Sequence, residues 1–388
     1  MTTTRRSVLG LIGASGAALV TGGAAQATPA RVPDDLRPGG AFDRYVKEQA
    51  DKDAFSGSLL LTYRGRTVLA RSYGKANDTA PNGPDTLFAM ASVTKMFTAV
   101  AIAQLVQAGK LAYNGKLGAY LTGFPAAMAD AVTIHQLLTH SSGLGDPFTW
   151  PDYMATALTW TSPEQVMDNT TDFIRRSSLA FTPGAGFQYS NAGYHVLGAI
   201  VAAVSGQTYY DYIREHVFRP AGMTSSDFHT RPQWHTDPRI AHPYATQPSG
   251  GRADSIDQRL YIGTPAGDAF STCADMTRFA CALQGEKLLN RAFTHVTLTG
   301  KTPLSPPTAP PNQPPPPKPP LGFQCYGPMT VLANNQWVTG HSGGAPGTST
   351  DFQMYPDSDW VSVFLSNIDY GHGVVPAIPG KIRDLITA

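Results

Sequence analysis

Residues 88–95 read Phe88-Ala-Met-Ala-Ser-Val-Thr-Lys95. Beyond Ser92, Phe97, Val100, Ala101, Ile102, Leu105 and Val106 recur at helical spacing, and Gly109 supplies a stop. A helix is therefore expected over about residues 92–108. Residues three apart share a helix face, so the Ser92 hydroxyl and the Lys95 amine can meet. Serine alone is a poor nucleophile because its proton is held tightly. An adjacent amine, made less basic by burial, can take that proton. The helix N-terminus adds positive potential where an oxyanion would form. The four-residue pattern by itself is a weak signal, since an N-cap serine beside a surface lysine has the same spelling. A second copy, Ser72-Tyr-Gly-Lys75, lies at a strand end with glycine inside it and is set aside.

Two more segments carry groups suited to such a nucleophile. Tyr189-Ser-Asn191 follows Pro183-Gly184 and precedes a helical pattern over residues 192–204, closed by Gly206. A phenol beside Lys95 could serve as a base in acylation and deacylation. An amide nearby could hold both the lysine and a substrate carbonyl. The plainer alternative is a buried tyrosine with an N-cap asparagine. Gly340-His-Ser-Gly-Gly344 comes just after the strand-like stretch 336–339. Its glycines allow a backbone to approach a ligand closely. The Gly344 N–H would then be an oxyanion donor opposite that of Ser92. A glycine-rich turn with a solvated histidine is the competing account. The segment also spells Gly-x-Ser-x-Gly, the nucleophile elbow. An elbow needs a helix directly after its serine, and Ala345-Pro-Gly-Thr-Ser349 cannot readily form one.

Strand patterns lie at both ends of the chain and helical patterns in the middle. Stretches 58–63 and 67–72 flank Arg64-Gly65-Arg66 as a hairpin, after an amphipathic helix over about 42–53. Stretches 133–139 and 272–283 read as helices. Strands return at 336–339, 351–355 and 360–365, and 377–386 reads as a closing helix. The loops at about 145–180 and 223–264 have no clear pattern. A sheet built from both termini with a helical insertion is the simplest arrangement, an α+β fold with its site between the lobes. Thr4-Arg5-Arg6, the apolar run 7–20 and Ala25-Gln26-Ala27 read as a twin-arginine export signal over residues 1–27. A linker over 28–40 is expected to follow, and the mature form should have no membrane span. Residues 303–320 are proline-rich and read as an exposed extended insert, a surface loop that could also dock wall material.

A net charge of +1 gives no reason to expect nucleic acid or anionic lipid as a partner. Of the three cysteines, Cys273 and Cys281 sit too far apart along one helix to bridge, being about 12 Å apart at the helical rise. Pairing of either with Cys325 stays open beside the simpler reading of buried, apolar thiols. No Cys-x-x-Cys or His-Glu-x-x-His pattern suggests a metal, and no cofactor is expected.

Taken in order, these segments resemble the serine β-lactamase and D-alanyl-D-alanine carboxypeptidase superfamily, nearest its class C and secreted carboxypeptidase/esterase branch. Phe88 to Lys95 looks like the nucleophile segment and Gln104-Leu-Val-Gln-Ala-Gly-Lys-Leu111 like the end of the helix after it. Leu137-Leu-Thr-His-Ser-Ser-Gly-Leu144 is similar to the next loop, and Ser271-Thr272 with Asp275 to the start of a late helix. Tyr189 to Asn191 and Gly340 to Gly344 look like the second and third signatures. The resemblance covers roughly residues 42–385. It implies a β-lactamase/transpeptidase-like antiparallel sheet flanked by helices, plus an all-helical lobe. The α/β lobe would come from about 41–90 and 322–388, and the helical lobe from about 91–290. Ser92 would form an acyl-enzyme, with Lys95 and Tyr189 moving its proton. Asn191, His341, Ser342 and Gly343 would bind substrate, and the N–H groups of Ser92 and Gly344 would form the oxyanion hole. His341 stands where many relatives carry lysine, and would bind a carboxylate or assist proton transfer. That departure leans from β-lactamase action towards carboxypeptidase or esterase action.

The expected activity is hydrolysis of an amide or ester through acyl-Ser92, carboxypeptidase-type first, by a protein exported from the cytoplasm. Substrates would be D-amino-acid peptides, β-lactams or small esters. The rival from another class is a non-catalytic module that binds penicillin or peptidoglycan. It has no need of a nucleophile with its bases.

Overall fold

The computed structural model describes residues 32–304, 321–369 and 377–388. The export signal, and the proline-rich insert beyond residue 304, lie outside the described residues. Eight strands form one sheet: β1 (Gly57–Tyr63), β2 (Arg66–Tyr73), β3 (Thr302–Pro303), β4 (Leu321–Gln324), β5 (Met329–Ala333), β6 (Gln336–Ala345), β7 (Thr348–Tyr355) and β8 (Trp360–Ser366). Their spatial order is β2-β1-β8-β7-β6-β5-β4-β3, and every neighbouring pair is antiparallel. The first hairpin thus pairs with the last strand, Leu59 opposite Phe364.

Local chemistry sets the turns. Arg64 and Gly65 have φ of 49° and 70°, and Asn334 and Asn335 have φ of 45° and 63°. Two successive left-handed residues give the tight hairpin loop whose twist suits the flanking strands, and Gly and Asn tolerate that backbone best. Alternation along the strands then splits the core into two layers. On β8, Val361, Val363 and Leu365 pack towards the helical lobe. Trp360 and Phe364 pack on the other face, with Phe42 and Val46 of α1 (Ala41–Asp51) and Ile378 and Ile382 of the closing helix Ala377–Thr387.

The helical lobe is organised around α2 (Lys95–Gln107), where every residue from Lys95 to Ala103 is buried. A helix buried on all sides is a core element rather than an amphipathic surface one. Phe97 meets Phe218 and Phe279 edge to face, with centroids 5.0 Å apart in both cases. Around it stand α3 (Pro163–Arg176), α4 (Asn191–Ser205) and α5 (Cys273–Gln284). No described helix is long and apolar enough to cross a membrane.

Several expectations change. Residues 32–40 are not a plain linker, because Asp34–Leu36 forms a turn that buries Leu36 completely against the outer core. Pro303, placed in the insert, ends edge strand β3, where a missing N–H is tolerated. Strand β6, expected to end at 339, runs on through Gly340 to Gly344, so the competing account of a glycine-rich turn there falls. That also removes the nucleophile elbow. All three cysteines are free, and Cys281 is exposed rather than buried, on the outer side of its helix.

Candidate active site

The backbone before Ser92 is held from two sides. Phe88–Ala89 pairs with Phe270–Ser271, Met90 N–H donates to Ala269 O at 2.7 Å, and Ala91 O accepts from Asp268 N–H at 3.2 Å. Ala91 has φ of 42°, a left-handed conformation that costs a non-glycine residue about 1–2 kcal/mol. The strain turns the chain sharply into a 3-10 turn, Ala91–Thr94, so the α-helix begins at Lys95 rather than at Ser92. In a 3-10 turn, side chains three apart eclipse. Lys95 Nζ lies 3.2 Å from Ser92 Oγ.

The amine has three partners. Besides Ser92, it donates to Asn191 Oδ1 at 2.7 Å and to Ala266 O at 2.6 Å. It is completely buried, and burial lowers its pKa to about 7 against the opposing pull of the Asp146 and Asp268 carboxylates. An amine with that pKa is half neutral near neutral pH, as a proton acceptor must be.

Ser190, not Asn191, caps α4. Its Oγ accepts from Gly193 N–H at 2.9 Å and donates to Gly145 O at 2.9 Å. That leaves the Asn191 amide free to bridge, and its Nδ2 donates to Asp146 Oδ2 at 3.0 Å. Tyr189 precedes the cap. Its ring centroid lies 4.8 Å from Lys95 Nζ, 4.5 Å from that of His140 and 6.3 Å from that of His341. Burial pushes the Tyr189 phenol well above its usual pKa, and a hydrogen bond with Ser92 pulls it partly back.

Strand β6 closes the site. A Cβ on Gly343 would lie 2.5 Å from Thr350 Oγ1, 2.7 Å from Met90 O and 2.9 Å from Ala91 Cβ. Only glycine lets the strand press against the turn that carries Ser92 here. Ser92, Asn191 and Gly344 line one cleft of about 500 Å³, with Trp234, Arg259 and Leu260 among its other walls. Tyr189 and His341 adjoin Lys95 but do not line that cleft.

Two site assignments need correction. The Ser342 side chain cannot face Ser92, because β6 alternates and, of residues 341–343, only His341 and Gly343 point inward. Ser342 instead lines an outer hollow with Asp351, Gln353 and Arg383. His341 is unsuited to holding a carboxylate by charge. Burial, with Lys95 nearby, lowers its pKa to about 3, so the ring is neutral. Its Nδ1 bonds to Ser342 O, and its Nε2 is buried without a partner among the described residues.

Asp146 and His140 were missed. Asp146 precedes Pro147 and caps the turn Pro147–Thr149, so in sequence it reads as turn chemistry only. His140 is fully buried at φ 57°, and its Nδ1 accepts from Ser190 N–H at 3.0 Å. It lay within a quoted segment, but nothing in the sequence pointed its ring at Tyr189.

A family model described as Beta-lactamase matches residues 42–385. Penicillin-binding protein 4* of Bacillus subtilis (strain 168) is 30% identical over 343 residues, covering 82% of this chain and 69% of that protein. A penicillin binding protein from Bacillus halodurans superposes with a TM-score of 0.74 at 28% identity, covering 88% of this chain and 99% of that one. The D-amino acid amidase from Ochrobactrum anthropi SV3 shares the fold, with a TM-score of 0.69 at 23% identity and 89% and 98% coverage.

Proposed function

From the premise that the chain belongs to the beta-lactamase family, whose members are serine hydrolases, we propose that it cleaves an amide or ester bond through an acyl-Ser92 intermediate. The observation that carries this is the buried Lys95 amine, 3.2 Å from the Ser92 hydroxyl and lowered to a pKa of about 7. Neutral Lys95 takes the Ser92 proton as Oγ attacks the substrate carbonyl. The N–H groups of Ser92 and Gly344, on opposite walls, receive the oxyanion. As the tetrahedral intermediate collapses, the proton passes to the leaving nitrogen or oxygen. Tyr189, whose high pKa keeps it a neutral phenol, relays it. A water then attacks the ester, gives its proton to the same pair, and Ser92 is restored. Asn191 holds Lys95 in place and offers its amide to the substrate. Gly343 brings the strand close enough for the backbone of residues 343–344 to bind.

Carboxypeptidase-type cleavage of D-amino-acid peptides is the leading reading, on the resemblance and on the expected export over residues 1–27. Esterase action is the second, favoured by the apolar walls Trp234 and Leu260. Fluorescent penicillin should label the protein recovered outside the producing cells, at a mass lacking residues 1–27. Ser92→Ala should lose both the label and turnover of p-nitrophenyl acetate. A label that persists in that variant removes Ser92 from its role, and a full-length mass removes the export signal. A panel of nitrocefin, p-nitrophenyl acetate and a D-Ala-D-Ala peptide ranks the three substrate classes. No turnover of any would favour the non-catalytic binder.

A further inference from the structure

Two backbone segments meet beside Ser92, and one buried side chain grips both. The first is the loop 265–269, which wraps the turn that carries Ser92. Its Ala266 O accepts from Lys95, its Asp268 N–H donates to Ala91 O at 3.2 Å, and its Ala269 N–H donates to Thr94 Oγ1 at 3.0 Å. The second is the connection Pro346-Gly347 between β6 and β7, two residues beyond Gly344.

Arg259 joins them and is only 6% exposed. Its Nη1 donates to Asp268 Oδ2 at 3.1 Å, while its Nη2 donates to Pro346 O at 2.6 Å and Thr348 Oγ1 at 2.8 Å. Trp234 backs the guanidinium, its ring centroid 5.7 Å from Cζ. Arg259 Nε is buried without a partner among the described residues. Ser255 Oγ also donates to Pro346 O, at 3.1 Å, with Pro243 O as its other acceptor. Burying a guanidinium is costly, and pairing with Asp268 offsets part of that cost. What the charge brings is a rigid planar fork that holds acceptors on two sides at once. The pair also bears on Lys95. Asp146 and Asp268 both pull that amine towards its protonated form, and Arg259 neutralises the second of them.

On the acyl-Ser92 reading above, we infer that Arg259 is a positioning residue, which fixes the gap between the N–H groups of Ser92 and Gly344. It ties the loop bonded to Ala91 to the connection that follows Gly344, and acts through these segments rather than on the reacting atoms. Two donors stabilise an oxyanion fully only when their spacing is set beforehand, and a small displacement of either loses much of the effect.

The test uses the whole mature protein, p-nitrophenyl acetate and phenylboronic acid. The boronic acid adds the Ser92 oxygen at boron and becomes a tetrahedral anion, so its affinity reads the fit of the two donors apart from turnover. Both readings are taken on each variant's own pH plateau, because loss of Arg259 leaves Asp268 to raise the Lys95 pKa and should move the acid limb upward. Arg259→Met should lower kcat and boronic acid affinity together, by about tenfold or more, with KM changed by less than about threefold. Arg259→Lys keeps a cation beside Asp268 without the fork, and should stay at least about threefold below wild type in both readings. Unchanged kcat and affinity in Arg259→Met overturn the inference, even while ester turnover that Ser92→Ala abolishes upholds the acyl-enzyme. Full recovery in Arg259→Lys also overturns it, since charge alone then suffices. So does a raised KM for a D-Ala-D-Ala peptide with kcat and boronic acid affinity intact, because Arg259 would then bind substrate. A wild type that neither turns over the ester nor takes the boronic acid ends the acyl-enzyme reading, and this one with it. Should Arg259→Met fail to fold, Arg259→Lys decides by the same two readings.

Discussion

At the scale of single residues, the site depends on a cost of burial. Lys95 sits at zero exposure with its pKa lowered to about 7, so the neutral form gains as pH rises through 7. If that form takes the Ser92 proton, kcat/KM should rise from acid pH to a plateau with an apparent pKa near 7. That value belongs to the coupled Lys95–Tyr189 group rather than to one residue. A profile flat from pH 5 to 9, measured with p-nitrophenyl acetate (whose own ionisation is silent), removes Lys95 as the acceptor. In Tyr189→Phe the rate should fall by about 100-fold or more, since a proton relay is worth that much. Ser92, Lys95, Tyr189 and Asn191 were legible because their types and order are chemically specific. Asp146 was not, because an aspartate before a proline is ordinary turn spelling until Asn191, 45 residues later, comes within 3.0 Å of it.

At the scale of elements, β6 bears the tightest constraint. Its Gly343 passes so near Met90 O and Ala91 Cβ that a methyl group there overlaps backbone as well as side chain. Gly343→Ala should cost about 1–3 kcal/mol of stability and push the strand off the turn that carries Ser92. A lowered Tm together with a turnover loss of tenfold or more, larger than the stability change explains, is the expected pair of readings. An unchanged turnover would mean that the close approach is not used. The same residue explains why the end of this strand was misjudged. Glycines weaken a strand's signal, yet here Gly343 is required by the neighbouring turn rather than by loop flexibility. The helix Pro163–Arg176 was hidden inside a stretch set aside as patternless. Ser162 accepting from Gln165 N–H, Pro163 in the first turn, and Arg175 and Arg176 in the last are ordinary boundary signals. They were overlooked because the helix itself is largely polar.

At the scale of the whole molecule, a buried polar junction ties the two ends of the chain to the inserted lobe. Asn367, just past β8, donates to Lys75 O at 2.8 Å and His242 O at 3.0 Å. Its Oδ1 accepts from Ser56 Oγ at 2.8 Å and Asn82 Nδ2 at 3.3 Å. Asn367→Ala would strand several of these groups and should destabilise by about 2–3 kcal/mol, read as a lower Tm and urea midpoint. A change below about 0.5 kcal/mol would show the junction to be dispensable.

The amino-acid order by itself determined the hairpin, the apolar central helix, the sheet shared by both termini and the four residues singled out for the candidate site. Each follows from local periodicity, turn chemistry or side-chain type, which act over a few residues. Tertiary packing decided the rest: the strained turn at Ala91, the neutrality of His341, the outward side chain of Ser342 and the contact of Asp146 with Asn191. These depend on burial and on contacts between segments tens to hundreds of residues apart, and neither quantity is written in the spacing of one motif.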